Sequence, residues 1–258
     1  RIRTKGIEPD ETGNINLQRA IVNSNNVYFI KLANEEQLQE EMALLYMKTG
    51  MFLHGVGGYY FDKATDNLKQ EEKWLSLWRK TEFNTKPKYD PTNIRRTRAK
   101  GISGMAWGQG ELIASPAAVA RLASSVANKG VLIPNRYVLK ISDSTVAIKP
   151  GIKIANDPQY AALLTEYMLK QSANKSYTLG LTVAGKTGTP ERVWKQERIN
   201  DGWYVFFAAK KNGQGHIVVS IRIESTRGSS KAVLLAGQHV VPILKKMGYV
   251  VDAIKKIN

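Results

Sequence analysis

The sequence contains no cysteine. That excludes a disulfide scaffold, a cysteine-ligated zinc site and a cysteine nucleophile. It is compatible with an oxidising compartment, where a stray thiol is a liability, without requiring one. There is no run of about 18 consecutive apolar residues, the length a membrane-crossing helix needs. No apolar stretch follows the opening Arg1-Ile2-Arg3-Thr4-Lys5-Gly6, as a secretory signal demands, and there is no initiator Met, so the chain reads as an excised portion of a longer protein. Histidine is scarce. His54, His216 and His239 match no metal-ligand spacing and read as packing or surface residues, so no metal and no cofactor is expected. Acidic residues are few: 22 Asp and Glu against 38 Lys and Arg, a formal charge of +16. Such an excess draws a protein toward anionic surfaces. The basic residues are scattered, with small knots at Arg95-Arg96-Thr97-Arg98 and Lys255-Lys256, and no zinc finger, aromatic RNP pattern or basic heptad array accompanies them. Nucleic acid is therefore not expected as a partner. An anionic wall polymer or membrane surface is compatible.

With 258 residues, 43% of them hydrophobic, the chain can build a substantial core without cross-links. Leu17, Ala20, Ile21, Ser24, Val27 and Tyr28 follow the spacing of a helical face, interrupted at Asn23-Ser24-Asn25-Asn26. Asn and Ser compete for main-chain hydrogen bonds, so that run predicts a turn between two short helices. A further helix is expected over Glu35–Lys48. Gly55 to Tyr60 reads as a loop, and residues 62–100 as a polar, insertion-like segment with one helical patch around Leu68–Trp78. Gly108-Gln109-Gly110 reads as a tight turn. Ser115-Pro116 and Asp157-Pro158 are helix starts, each a capping side chain followed by Pro at the first helical position. The first helix should stop at Asn128-Lys129-Gly130 and the second near Lys170. The period then changes. Leu181–Thr187, Trp203–Lys210 and His216–Glu224 are rich in β-branched and aromatic residues and read as strands, the last two joined through Asn212-Gly213. A final helix is expected over Ser230–Met247, with Val233, Ala236, Val240, Ile243, Leu244 and Met247 inward and a kink or join at Pro242. Helices, then a short antiparallel sheet, then a helix make an α+β arrangement with helices packed on the sheet.

One quartet stands out chemically. Lys186-Thr187-Gly188-Thr189 ends a predicted strand and offers a cation, two hydroxyls and a glycine that permits close main-chain approach. N–H groups at such a strand edge can stabilise an oxyanion. Far upstream, Ser24-Asn25-Asn26 lies on the predicted interhelical turn. A Ser-x-Asn followed much later by Lys-Thr-Gly on a strand is part of the signature of penicillin-binding proteins and serine β-lactamases.

Longer segments make this specific. Val183-Ala184-Gly185 leading into the quartet, Asp201-Gly202-Trp203-Tyr204-Val205-Phe206-Phe207-Ala208, Gly108-Gln109-Gly110-Glu111 with Ala114-Ser115-Pro116, Ala127-Asn128-Lys129-Gly130, and Ala20-Ile21-Val22-Asn23 running into Ser24-Asn25-Asn26-Val27-Tyr28-Phe29 resemble, in order and spacing, the penicillin-binding transpeptidase domain. The likeness runs from about Gly13 to Met247 and is weakest over 62–100. The family's nucleophile stands in a Ser-x-x-Lys before the Ser-x-Asn, and no residue before Ser24 forms one. Ser172-Ala173-Asn174-Lys175 matches the letters but falls after the Ser-x-Asn, in an expected loop, and is read as accidental.

The resemblance implies one transpeptidase domain over 1–258 lacking its N-terminal part, with about three of the family's five strands and with the His216–Glu224 strand at an unpaired edge. It implies a serine D,D-transpeptidase that cross-links peptidoglycan stem peptides, is acylated by β-lactams and works outside the cytoplasm. Ser24 and Lys186 would then serve the proton relay, Asn26 the substrate amide, Thr187 and Thr189 the substrate carboxylate, with the Thr189 N–H as half of the oxyanion hole, and Gly188 would keep the strand open. Trp203 reads as core packing. A binding scaffold or wall-peptide sensor without a working nucleophile, and a serine β-lactamase, are the alternatives.

Overall fold

A computed structural model describes residues 15–53, 75–76, 104–110, 112–173 and 183–251. The expected loop at Gly55–Tyr60, the 62–100 segment apart from helical Leu75 and Ser76, His54 and both basic knots lie outside the described residues. The chain packs as two compact units, residues 1–115 with 190–200 and residues 116–189 with 201–258. Each is described separately.

In the first unit, α1 (Leu17–Val22) is capped by the Asn16 side chain, which accepts the Arg19 N–H at 2.9 Å. The expected turn follows, and α2 spans Asn26–Glu35. The third helix starts later than the periodicity suggests. Glu36 caps α2 and Gln37 adopts a left-handed φ of 54°, so α3 runs Gln39–Thr49 and ends on left-handed Gly50. Strands β1 (Phe52–Leu53) and β2 (Leu112–Ile113) pair antiparallel. Ala43, Met47, Leu75 and Met105 form the core here. Tyr46 donates its hydroxyl to the Met105 carbonyl at 2.5 Å, and burial pushes its phenol up to about 12. Gly108 and Gly110 both have positive φ, the conformation that makes the turn tight.

In the second unit, α4 (Pro116–Ala127) begins at its predicted proline and ends where Lys129 and Gly130 turn left-handed. A side chain at Gly130 would lie 2.4 Å from the Ala155 Cβ, so both conformation and space require glycine. Short ladders follow: β3 (Val131–Leu132), a hairpin of β4 (Lys140–Ile141) and β5 (Ser144–Thr145), and β6 (Ile152–Lys153), which returns to β3. Asp157 accepts the Gln159 N–H at 2.8 Å and starts α5 (Pro158–Ala173). This helix passes its predicted end at Lys170, so Ser172 belongs to its buried last turn and not to a loop.

The main sheet joins β7 (Ala184–Gly188), β10 (Gly202–Ala209) and β11 (His216–Ile223) in the order β11-β10-β7, all antiparallel. Between β7 and β10, Glu191–Trp194 (β8) and Glu197–Asn200 (β9), which belong to the first unit, form a hairpin the sequence reading missed. Alternation sends β10 side chains both ways. Tyr204, Phe206 and Ala208 pack with Val183 against Ala232, Val233, Ala236 and Leu244. Phe207 packs with Ala184 against Ala127 of α4 and Met168 of α5. Helices thus cover both faces, and each fully buried aromatic adds on the order of 2–3 kcal/mol. Asn212-Gly213 lies in the β10–β11 connection, but that loop spans residues 210–215, longer than a two-residue turn. Among the described residues no strand pairs outside β11, which is an edge as expected.

The C-terminal helix is continuous but irregular. It reads α6 (Ser230–Leu235), a π turn (Ala236–Val240) and α7 (Val241–Lys246). Pro242 has no N–H and crowds the carbonyl one turn back, and the wider turn just ahead of it relieves both. The extra residue rotates the downstream face. Val233, Ala236 and Leu244 stay buried, with Val240 packed beside them, whereas Ile243 and Met247, expected inward, are 56% and 57% exposed. Among the described residues no helix is long and apolar enough to cross a membrane.

Candidate active site

Ser24 and Asn26 belong to the first unit and Lys186, Thr187, Gly188 and Thr189 to the second. The Ser-x-Asn turn is built by main-chain bonds: Asn23, Ser24 and Asn25 N–H groups donate to Arg19, Ile21 and Ala20 carbonyls at 2.9, 3.2 and 2.8 Å. Ser24 takes a φ of +51°, a conformation uncommon outside glycine that the turn imposes. Capping falls to the middle residue. The buried Asn25 side chain accepts the Tyr28 N–H at 3.0 Å, and Asn26 is already the first residue of α2. Neither Ser24 nor Asn26 is therefore needed as the cap.

In the second unit the quartet lies where the sequence placed it, on and just past the edge strand β7. Lys186 pairs with Val205 and Gly188 with Trp203. Lys186 Nζ donates to the Thr187 carbonyl at 3.0 Å, and burial pulls its pKa down from the ordinary lysine value to about 8. Its ammonium is thus an easier proton donor than a solvated lysine. The Thr187 N–H points away from β10 and donates to the Gln171 Oε1 of α5 at 3.4 Å. Gln171 is fully buried, and periodicity marked only its helix.

The two glycines of β7 differ. A side chain at Gly185 would come within 2.5 Å of the Tyr204 hydroxyl, so the core dictates glycine there. At Gly188 the nearest atom would be the Trp203 Cβ at 3.4 Å, an ordinary contact, so packing alone does not demand glycine. The Tyr204 phenol beneath Gly185 is pushed up to about 12 by burial, with the Ser172 hydroxyl acting weakly the other way. Trp203 is partly buried and carries the Arg222 guanidinium 5.7 Å from its ring centre, so it is a packing residue with a cation on one face.

Asp201, within the segment that runs into β10, has a role the sequence alone does not assign. It is 2% exposed and binds Arg222 and the Ser225 main chain. Its signal was a charged residue directly before an apolar strand. Among the described residues no three His, Asp or Glu side chains gather as a metal site would require.

The family model for the penicillin binding protein transpeptidase domain matches residues 3–239. No curated protein matches significantly. Among solved structures, the chain is similar to penicillin-binding protein PBP2 of Helicobacter pylori in its complex with MreC (22% identity, 92% of this chain and 41% of that one, TM-score 0.59). It is similar to a peptidoglycan synthetase from Bifidobacterium adolescentis (17%, 89% and 40%, 0.57). It is also similar to the imipenem acyl-enzyme complex of penicillin-binding protein A from M. tuberculosis (20%, 86% and 47%, 0.51). At such identities the likeness is one of fold. The chain spans less than half the length of each of these three.

Proposed function

The chain belongs to the penicillin-binding protein transpeptidase family, and from that premise we propose that it is part of a serine D,D-transpeptidase that cross-links peptidoglycan stem peptides outside the cytoplasm. The nucleophilic serine is supplied by a stretch preceding Arg1. Its hydroxyl attacks the penultimate D-Ala carbonyl, the proton passes through the Ser24 and Lys186 relay to the leaving amine, and terminal D-Ala departs. A neighbouring peptide's amine then attacks the acyl-serine and forms the cross-link. Asn26 holds the substrate amide, and the Thr187 and Thr189 hydroxyls hold its carboxylate. The strand geometry supports the oxyanion role. Because the Thr187 N–H points to the outer side of β7, alternation carried one step further puts the Thr189 N–H on that side too.

The observation that carries the reading is the quartet on an edge strand, with Lys186 held at a pKa of about 8, close to the pH at which a proton relay works. The protein that contains this chain should be labelled covalently by a fluorescent penicillin, as the M. tuberculosis relative is acylated by imipenem. A folded, full-length protein that takes no label excludes the transpeptidase and leaves the scaffold or sensor reading. Turnover of nitrocefin beyond a single acylation would indicate a β-lactamase.

A further inference from the structure

We propose that Asp201 is a positioning residue for substrate carboxylate recognition: it clamps the loop of residues 224–229 beside Thr189 and so fixes the Thr189 side chain. The inference rests on the transpeptidase reading above. Asp201 stands at the start of β10, and both its oxygens are engaged. Oδ2 accepts Arg222 Nε at 3.1 Å and Nη2 at 2.7 Å, and Oδ1 accepts the Ser225 N–H at 3.0 Å. Ser225 has a φ of +52°, a conformation a non-glycine residue keeps only when its surroundings hold it.

From that anchor the loop folds back over the strand. A Cβ on Gly202 would sit 2.4 Å from the Gly228 carbonyl and 2.9 Å from the Thr226 Cγ2, so the loop backbone lies directly on the start of β10. Thr226 is buried under it. A Cβ on Gly228 would lie 3.6 Å from Thr189 Oγ1 and 3.8 Å from Thr189 Cγ2. The loop therefore abuts the hydroxyl that the transpeptidase reading gives to the substrate carboxylate.

Arg222 adds a second link. Its guanidinium also meets Glu224 at 3.0 Å and covers Trp203, the cross-strand neighbour of Gly188. A buried ion pair is a weak source of net stability, because desolvation offsets most of the attraction. What it supplies is direction: a two-donor grip on one oxygen leaves the other aimed at Ser225.

The test uses the full-length protein with its acylable serine. Fluorescent penicillin labelling is resolved into a binding constant and an acylation rate. In parallel, a D-Ala-D-Ala peptide ending in a free carboxylate is compared with its carboxamide. Asp201→Ala is expected to weaken binding of the carboxylate-bearing ligands roughly tenfold. It should erase most of the preference for carboxylate over carboxamide and leave the acylation rate at saturation nearly unchanged. Gly228→Val crowds Thr189 directly without touching Asp201 and should do the same, which keeps the idea testable if Asp201→Ala does not fold. Asp201→Asn retains an oxygen for Ser225 and should restore part of the preference. If the wild type is labelled and folded Gly228→Val or Asp201→Ala keeps the full carboxylate preference, the clamp has no positioning role although the transpeptidase reading stands. A wild type that takes no label overturns both.

Discussion

At the scale of single residues, Lys186 sets a measurable conflict. Its pKa is lowered to about 8 because burial disfavours the ammonium. Below pH 8 the group is charged in both folded and unfolded chains, so the folded state bears the full penalty. As pH climbs from 8 toward the ordinary lysine value, the unfolded chain binds a proton that the folded chain has released, and stability rises. Lys186→Met should therefore be more stable than the wild type at pH 7, by on the order of 1 kcal/mol after allowance for solvent screening and the lost bond to the Thr187 carbonyl. The gain should shrink toward pH 10. Urea midpoints at pH 7 and pH 10 check it, and a variant destabilised equally at both would refute it. A lysine kept against its own folding cost is what a site residue looks like. At this scale the sequence was legible in letters more than in roles. Ser24-Asn25-Asn26 is a recognisable pattern, but capping falls to Asn25 only in the fold, because the choice depends on which side chain reaches the Tyr28 N–H.

At the scale of elements, β7 carries a sharper test. Its two glycines answer to different constraints. Gly185→Ala drives a methyl into the Tyr204 hydroxyl, in the middle of a buried sheet with helices on both faces. The cost should be about 1–3 kcal/mol. Gly188→Ala meets only ordinary contact with Trp203 and should fold with little loss. If β7 must stay open to substrate, Gly188→Ala should nonetheless cut penicillin acylation by tenfold or more, on the order of 1.4 kcal/mol. Thermal melts with labelling rates separate the two effects, and a Gly188→Ala protein labelled as fast as the wild type would remove that glycine from the site. Elements with local signals were readable: the helices at Pro116 and Pro158 begin at prolines, and at the second the Asp157 side chain caps within one turn. Elements set by tertiary context were not. Nothing in Ala236–Val240 announces a π turn, so the inward face was extended to Ile243 and Met247 one residue out of phase. The β8–β9 hairpin, with Lys195 and Gln196 both at positive φ where glycine is usual, carries no turn signature.

At the scale of the whole chain, two long-range terms oppose each other. The charge of +16 keeps copies apart. Against it stands β11, eight residues without proline, alternating Ile217, Val219, Ile221 and Ile223 inward, and unpaired on its outer side among the described residues. Such an edge is a template for strand addition by a second copy. Which effect wins depends on screening. At about 0.01 M salt the Debye length is about 30 Å and repulsion reaches across a domain, whereas at about 1 M it is about 3 Å and only contact terms survive. The 258-residue chain should thus scatter light as a monomer in low salt and associate as salt is raised. Ser220→Pro, which removes a main-chain donor from β11 and stiffens it, should suppress that association if it still folds. His216→Lys, which adds charge at the exposed start of the edge strand, should suppress it by a different route. The sign is the decisive feature. Association driven by charge attraction to an anionic contaminant weakens with salt, whereas edge pairing held off by self-repulsion strengthens, so scattering that falls or stays level as salt rises would dismiss the exposed edge as a contact surface.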